Sequence, residues 1–315
     1  MQPEILIGMG GWSLPAFDGR FYPAEQGKGF RKLEYFSRYF DLVEVNATFY
    51  TTTLGPQQAR RWLRDIEANK NFTFTVKLFQ GFTHKYNATQ SDAQAVKALL
   101  EPLAGSGKLG GLVLQFPHQF TRTGEREQYL KKLAETFGVY ALFLELRHDS
   151  WNNPEAFAPL KDWGFQLINT DLPMIKHHMP FTNEAWGDTA YYRLMGRNKD
   201  SWDEGGVQER YKYFYSAQEL KEVLDRITTL KSTVKKAFVV FHNDPEANSP
   251  VNGFQLKNMV DSKKIIHVPG PLMQTFPGLA DFSSVLPQGE LFVAKGKVFK
   301  LKAAPAEKKT GIDPS

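Results

Sequence analysis

The feature that most constrains the fold is an alternation of eight short apolar segments with stretches of helical spacing. The strand candidates occupy residues 5–12, 42–50, 72–79, 109–116, 141–147, 165–170, 190–196 and 237–242. Repeating strand–helix units of this length are typical of a parallel sheet. Eight such units within about 260 residues predict a single α/β domain, a (β/α)8 TIM barrel.

Polar residues near the carboxyl ends of the strands favour the barrel over an open, doubly wound sheet. In the segment LVEVNATFY, Val43 and Val45 take one face of the strand, while Glu44 and Asn46 take the other. A parallel strand is buried on both faces, so its polar face must look into an enclosed site. The corresponding positions of later strands hold Lys77, Gln115, Glu145, Arg147, Asp171, Arg193, Asn243 and Asp244.

Local signals indicate where several helices begin. Pro56 suits the first position of a helix. The segments 91–94 and 216–219 match the capping-box pattern, in which a serine side chain caps the first turn. We therefore expect helices to start at these three places.

Length and charge set the expected domain organisation. The chain has 315 residues and a mild net charge of +5, with several lysines near its end. We expect a barrel over residues 1–260, an extension packed on or near it over 261–302, and a flexible tail over 303–315. The start of the chain has no signal-peptide pattern, and no long apolar run predicts a membrane span. A cytoplasmic location is the expectation.

The absence of cysteine excludes disulfides, thiolate catalysis and cysteine-bound zinc. His84, His148 and His242, with nearby carboxylates, are the candidates for a divalent metal site. No HExxH motif or paired histidine spacing supports such a site. The sequence accordingly predicts no metal and no cofactor.

Eight motifs in order along the chain resemble the DUF72 family of barrel proteins, also called YecE-like. They are GGWSLPAFDGRFYP (10–23), VEVNATFY (43–50), FTVK (74–77) with Thr83-His84, LQFP (114–117), ELRHDSW (145–151), the Asp171 turn, YYRLMGR (191–197) and FHNDPEANSPVN (241–252). The chain departs from the family pattern at Met195 and His242. The resemblance implies a TIM barrel but no established activity.

Glu44 and Glu145 are the predicted catalytic pair. Two carboxylates that face one cavity can act as acid and base, or as nucleophile and acid, when their environments separate their pKa values. The alternative is a buried ion-paired network, with Glu44 bound to Lys77, and Glu145 to Arg147 or Arg193.

Cationic and amide side chains predict a ligand with an anionic part. Lys77, Arg147 and Arg193 at strand ends suit a phosphate or a carboxylate. The remaining predicted ligand-binding residues are Asn46, His84, Gln115, His148, Trp151, Asp171, Asn243 and Asn252.

The leading functional hypothesis is an acid–base enzyme, hydrolase-like, that acts on a polyhydroxylated or phosphate-bearing small molecule. One alternative is a metal-dependent barrel enzyme resembling endonucleases or sugar isomerases, and another is a non-catalytic small-molecule binding protein. No membrane partner is expected. A nucleic-acid partner is possible through the basic end of the chain but is not indicated.

Overall fold

The computed structural model describes residues 2–202, 206–285, 293–294 and 297–298. Eight strands form the central sheet. They are β1 (Glu4–Met9), β2 (Leu42–Val45), β3 (Thr73–Lys77), β4 (Leu109–Gln115), β5 (Leu142–Glu145), β6 (Phe165–Asp171), β7 (Thr189–Leu194) and β8 (Lys236–Phe241). Every predicted strand is present, because each is a short, mostly apolar segment bounded by turns.

The eight strands close into a barrel in sequential order, and every pairing is parallel. Strand β1 closes the ring against β8, where Glu4 is opposite Lys236 and Met9 is opposite Phe241. All carboxyl ends therefore meet at one rim, which is where barrel proteins carry their sites. The predicted TIM barrel is confirmed.

Helices lie between successive strands and beyond the last barrel strand. They are α1 (Lys32–Phe36), α2 (Pro56–Asp65), α3 (Gln80–Thr83), α4 (Gln90–Gly105), α5 (Gly124–Phe137), α6 (Pro154–Asp162), α7 (Val207–Arg210), α8 (Ala217–Thr228), α9 (Asn248–Val260) and α10 (Gly270–Thr275).

Two of the three predicted helix starts are confirmed. Pro56 opens α2, and Ser216 caps α8 in a capping box with Glu219. The capping box predicted at residues 91–94 is wrong, because Thr89 accepts from the backbone N–H of Asp92 and caps α4 two residues earlier. Thr89 and Asp92 are three residues apart in sequence, as are Ser91 and Gln94, so two overlapping patterns competed for this helix start.

Apolar side chains pack in two layers on either side of the sheet. The outer layer lies between strands and helices, where Leu144 and Leu146 bury their side chains. The inner layer fills the barrel. It comprises Leu6, Leu42, Val113, Phe143, Ile168, Tyr191, Phe238 and Val240. This filling makes the barrel interior a packed floor on which the polar residues of the carboxyl-end rim rest.

Beyond α9 the described residues form two further strand pairs. Strands β9 (Ile266–Val268) and β10 (Ser283–Val285) pair in parallel, and β11 (Val293–Ala294) and β12 (Lys297–Val298) pair antiparallel. The predicted tail, 303–315, lies outside the described residues. Within the described part of the chain, no helix combines the length and apolar character that crossing a membrane requires.

Candidate functional site

Arg193 of β7 is the centre of a charged network at the top of the barrel floor. Its guanidinium donates to Glu44 at 2.8 Å and also to Glu145. Arg193 is 1% exposed and both carboxylates are fully buried. Strands β2, β5 and β7 place these three side chains inside the barrel, because each occupies the interior phase of its strand.

Tyrosine and histidine complete the network. Tyr191 donates its hydroxyl to Glu44 at 2.8 Å. The Nε2 atom of His242 accepts from Arg193 at 3.0 Å and 3.2 Å. Burial, reinforced by the charge of Arg193, lowers the pKa of His242, so the imidazole is neutral at neutral pH.

The two carboxylates are ionised. Burial is the largest single influence and opposes their ionisation, but Arg193, His242 and Lys77 together outweigh it and hold the pKa of Glu44 well below its ordinary value. The pKa of Glu145 falls to about 2 because Arg193 and Arg147 likewise outweigh burial, and the Nε of Arg147 donates to Glu145 at 2.7 Å. The ion-paired arrangement that the sequence left open for Glu145 is therefore present. The catalytic roles of Glu44 and Glu145 stay a prediction.

A pocket with a volume of about 940 Å³ opens above this network. Its lining includes six residues predicted as ligand-binding, which the fold brings together from five strands or the loops that follow them. They are Asn46, Lys77, His84, Gln115, Arg147 and Arg193. Glu44 and Glu145 lie beneath the lining, fully buried under Arg193.

Lys77 of β3 is a pocket cation whose ionisation is strongly perturbed. Burial, followed by repulsion from Arg193, lowers its pKa to about 7. Its ammonium lies 4.1 Å from the centre of the Phe49 ring. At neutral pH both protonation states of Lys77 are populated, which a proton-transfer group requires.

His84 adjoins Lys77 and is held neutral by its surroundings. Burial is the larger cause, and the charges of Lys77 and Arg147 add to it, so the pKa of His84 falls to about 4. Its Nδ1 lies 2.9 Å from the hydroxyl of Thr83.

Asp244 is a pocket residue that sequence reasoning did not select as a site residue. Burial raises its pKa to about 7, although the hydroxyl of Ser249 donates to it at 2.6 Å. A signal for it existed: the interior phase of β8 runs through Phe238 and Val240, and continues two residues at a time to His242 and Asp244. The prediction chose the neighbouring Asn243 instead.

Five predicted ligand-binding residues do not line the pocket, and the first of them, His148, lies in the loop after β5. Trp151 is fully buried and donates to the carbonyl of Phe120. Asp171 binds Arg197 outside the barrel interior. The other two, Asn243 and Asn252, hydrogen-bond each other and the backbone of the segment that precedes α8.

Gly10 of the first loop approaches the site closely. A Cβ atom added to Gly10 would lie 2.2 Å from the ring of His242. The carbonyl of Gly10 accepts from the amide of Asn46 at 2.7 Å. The glycine-rich segment after β1 thus makes room for His242 and orients Asn46.

The histidines proposed as metal ligands do not form one group. His242 is bound to Arg193, and His84 lies near Lys77. His148 lies at the rim, where its Nδ1 accepts from the backbone of Ser150.

Comparison with known proteins identifies relatives across most of the chain. The model of the family described as "Protein of unknown function DUF72" matches residues 6–275. The UPF0759 protein YunF of Bacillus subtilis is 30% identical over 277 residues, which cover 82% of this chain and 95% of YunF.

Solved structures agree with this assignment. A DUF72 family protein from Thermotoga maritima has 29% identity and a TM-score of 0.73, over 82% of this chain and 99% of that one. A second DUF72 protein, from Enterococcus faecalis, has 23% identity and a TM-score of 0.69, over 82% of this chain and 95% of that one, and supports the fold. With the sequence match over residues 6–275, these similarities establish that the chain belongs to the DUF72 family.

Proposed function

We propose that this protein is an acid–base enzyme acting on a phosphate-bearing, polyhydroxylated small molecule in the pocket above Arg193. The observation that carries the proposal is the charge of the pocket lining. Its cations are Lys77, Arg147, Lys176, Arg193 and Arg210, whereas Asp244 supplies the carboxyl group among the described lining residues.

The positive charges converge from separate strands. Lys77, Arg147 and Arg193 lie close enough to perturb one another's protonation. Glu44 and Glu145 offset part of this charge, but they do so from beneath the floor. A bound phosphate would supply the missing negative charge and accept charge-assisted hydrogen bonds from the guanidinium groups.

Two groups in the pocket have pKa values suited to proton transfer. Lys77 and Asp244 each have a pKa of about 7, one lowered and one raised by burial. At neutral pH one of them can accept a proton while the other donates one. We assign acid–base work to this pair, and we assign to Glu44 and Glu145 the role of holding Arg193 in place.

Uncharged groups would bind the rest of the ligand. The Oδ1 atom of Asn46 is buried and has no partner among the described residues. Gln115 presents an amide, and Phe49 and Tyr50 line one wall. Amides form hydrogen bonds with hydroxyl groups, and aromatic rings stack against sugar or base rings.

Calorimetric titration against a matched panel tests the binding claim. Phosphate, pyrophosphate and ribose 5-phosphate should bind, whereas ribose alone should bind more weakly or not at all. Arg147→Met should weaken phosphate-ester binding by about tenfold or more, since a hydrogen bond to a charged group is worth about 1.5–3 kcal/mol. Lys236→Met is the control, because Lys236 is an exposed cation that begins β8 at the opposite end of the barrel. Equal effects of the two substitutions would refute an anion site at the mouth.

Chemistry is tested separately from binding. The purified protein is incubated with phosphate esters, and with the same compounds in deuterated water, and products and deuterium incorporation are followed by NMR. The proposal predicts hydrolysis or exchange that Lys77→Met abolishes. Binding without either reaction across the panel would refute the enzyme assignment and favour a binding protein.

A further inference from the structure

Four of the seven histidines of the chain meet at the rim of the barrel. The His118 ring lies 5.0 Å from that of His148 and 4.9 Å from that of His178, and the His148 and His177 rings are 5.6 Å apart and nearly parallel. They come from three different loops, which follow β4, β5 and β6. Their spacing along the sequence therefore gives no motif.

Backbone pairing fixes these loops against each other. The loops after β5 and β6 form an antiparallel bridge at His148 and His178. The N–H of Asp149 donates to the carbonyl of His177 at 3.0 Å, and the N–H of Met179 donates to the carbonyl of Arg147 at 2.8 Å. Such a frame holds side chains in place before any ligand arrives.

One carboxylate lies between two imidazoles in this frame. Asp149 places one oxygen 3.2 Å from Nδ1 of His148 and the other 3.2 Å from Nδ1 of His177. Ligand atoms of the three residues all lie within 4.8 Å of one another. His177 has a φ of 62°, a left-handed conformation uncommon for residues other than glycine, and strained backbones of this kind cluster at functional sites.

We propose that His148, Asp149 and His177 bind a divalent transition-metal ion, with Zn²⁺, Co²⁺ and Ni²⁺ as the suitable class. Two imidazoles and one carboxylate match the ligand preference of these ions, whereas Mg²⁺ and Ca²⁺ prefer oxygen alone. The side chains of His148, Asp149 and His177 are 17%, 44% and 54% exposed, so water can complete the coordination. The site adjoins the pocket, since His118 and His178 line the pocket.

Metal binding through His148 has a cost. Its Nδ1 accepts a hydrogen bond from the N–H of Ser150 at 3.1 Å, which a metal ion would displace. The affinity should accordingly be well below that of a buried structural zinc site. Binding should also weaken at acidic pH, where protonated imidazoles cannot coordinate a metal.

The test uses full-length, tag-free protein stripped of metal with a chelator. Titration with Co²⁺, followed by visible absorption and calorimetry, should reveal one site that Zn²⁺ displaces and Mg²⁺ does not. Asp149→Asn and His177→Asn should each weaken binding by at least about tenfold, the loss that even a supporting residue of a metal site causes. Asparagine tolerates the left-handed backbone at position 177.

His267→Asn is the matched control, because His267 is exposed on β9, outside the cluster. It should bind Co²⁺ as the unsubstituted protein does. The proposal fails if no Co²⁺ spectrum develops, or if binding survives both substitutions in the cluster. It also fails if His267→Asn weakens binding as much as they do. Unchanged melting temperatures of the three variants would exclude misfolding as the cause of weaker Co²⁺ binding.

Discussion

Replacing Glu145 by glutamine should destabilise the protein, because Glu145 is a buried charge with two cationic partners. It accepts from Arg193 and from Arg147, and no part of its side chain is exposed. Glutamine has nearly the same shape and keeps one carbonyl oxygen as an acceptor. The substitution therefore removes the charge while leaving the packing almost intact.

Two arguments give the same magnitude for this loss. The pKa of Glu145 lies near 2 against an ordinary value of 4.5. One pKa unit corresponds to about 1.4 kcal/mol, so the ionised group contributes about 3 kcal/mol at neutral pH. Removing one partner of a buried ion pair costs about 3–5 kcal/mol, and the retained acceptor places glutamine at the lower end.

Urea unfolding followed by tryptophan fluorescence measures the change. At pH 7 the variant should lose about 3 kcal/mol of the free energy of unfolding. Because the folded pKa is depressed, this contribution is complete above pH 4.5 and disappears as the pH falls towards 2. The variant and the unsubstituted protein should thus converge in acid.

Glu135→Gln provides the control, since Glu135 is an exposed residue of α5. Its effect should stay within about 0.5 kcal/mol. A loss for Glu145→Gln below about 1 kcal/mol, or a gain in stability, would refute the supporting role. It would restore Glu145 as a strained functional acid.

Three further predictions concern the mouth of the barrel. Gly10→Ala should displace the ring of His242 and lower the free energy of unfolding, measured in urea, by about 1–3 kcal/mol. Gly27→Ala should leave stability nearly unchanged, because a Cβ atom there meets no atom within 4 Å. Equal effects of the two substitutions would contradict the close approach of Gly10 to His242. Phosphate binding should raise the pKa of Lys77 from about 7, so the protein should take up protons when it binds phosphate at pH 8. Calorimetry in two buffers of different ionisation enthalpy should detect this proton uptake, and Lys77→Met should remove it. Uptake that persists in the variant would exclude Lys77 as its source. Asp244→Asn should leave phosphate affinity unchanged below pH 6 and increase it above pH 8. The reason is that Asp244 becomes negatively charged as the pH rises through 7. Equal affinities of the variant and the unsubstituted protein at pH 8 would show that Asp244 does not face the anion.

The strands and the inward phase of their polar residues could be predicted, because period-two alternation is a local property of the chain. Lys77, Arg147 and Arg193 reach the pocket for that reason. Partner choice could not be predicted, since Glu44 and Arg193 are 149 residues apart in sequence and meet only across the closed ring. The sequence therefore left the roles of the two carboxylates open.

Side chains in loops were harder to place from the sequence than side chains on strands. Past the end of β8, phase alone would have selected Asp244, but Asn243 was chosen as an amide that could bind hydroxyl groups. Asn252 was placed at the site although it binds the backbone of Tyr215. The rim histidines His148 and His177 come together through the pairing of two loops, and a local pattern cannot encode such a contact.

The most direct test of an anion-binding mouth is a crystal soaked in tungstate, a phosphate analogue whose position anomalous scattering reveals. We expect one dominant anomalous peak in the pocket, within hydrogen-bond distance of Arg147 or Arg193 and close to the ammonium of Lys77. The peak should vanish in crystals of Arg147→Met and persist in crystals of Lys236→Met. Tungstate bound elsewhere, with the pocket empty at the same concentration, would contradict the proposed function.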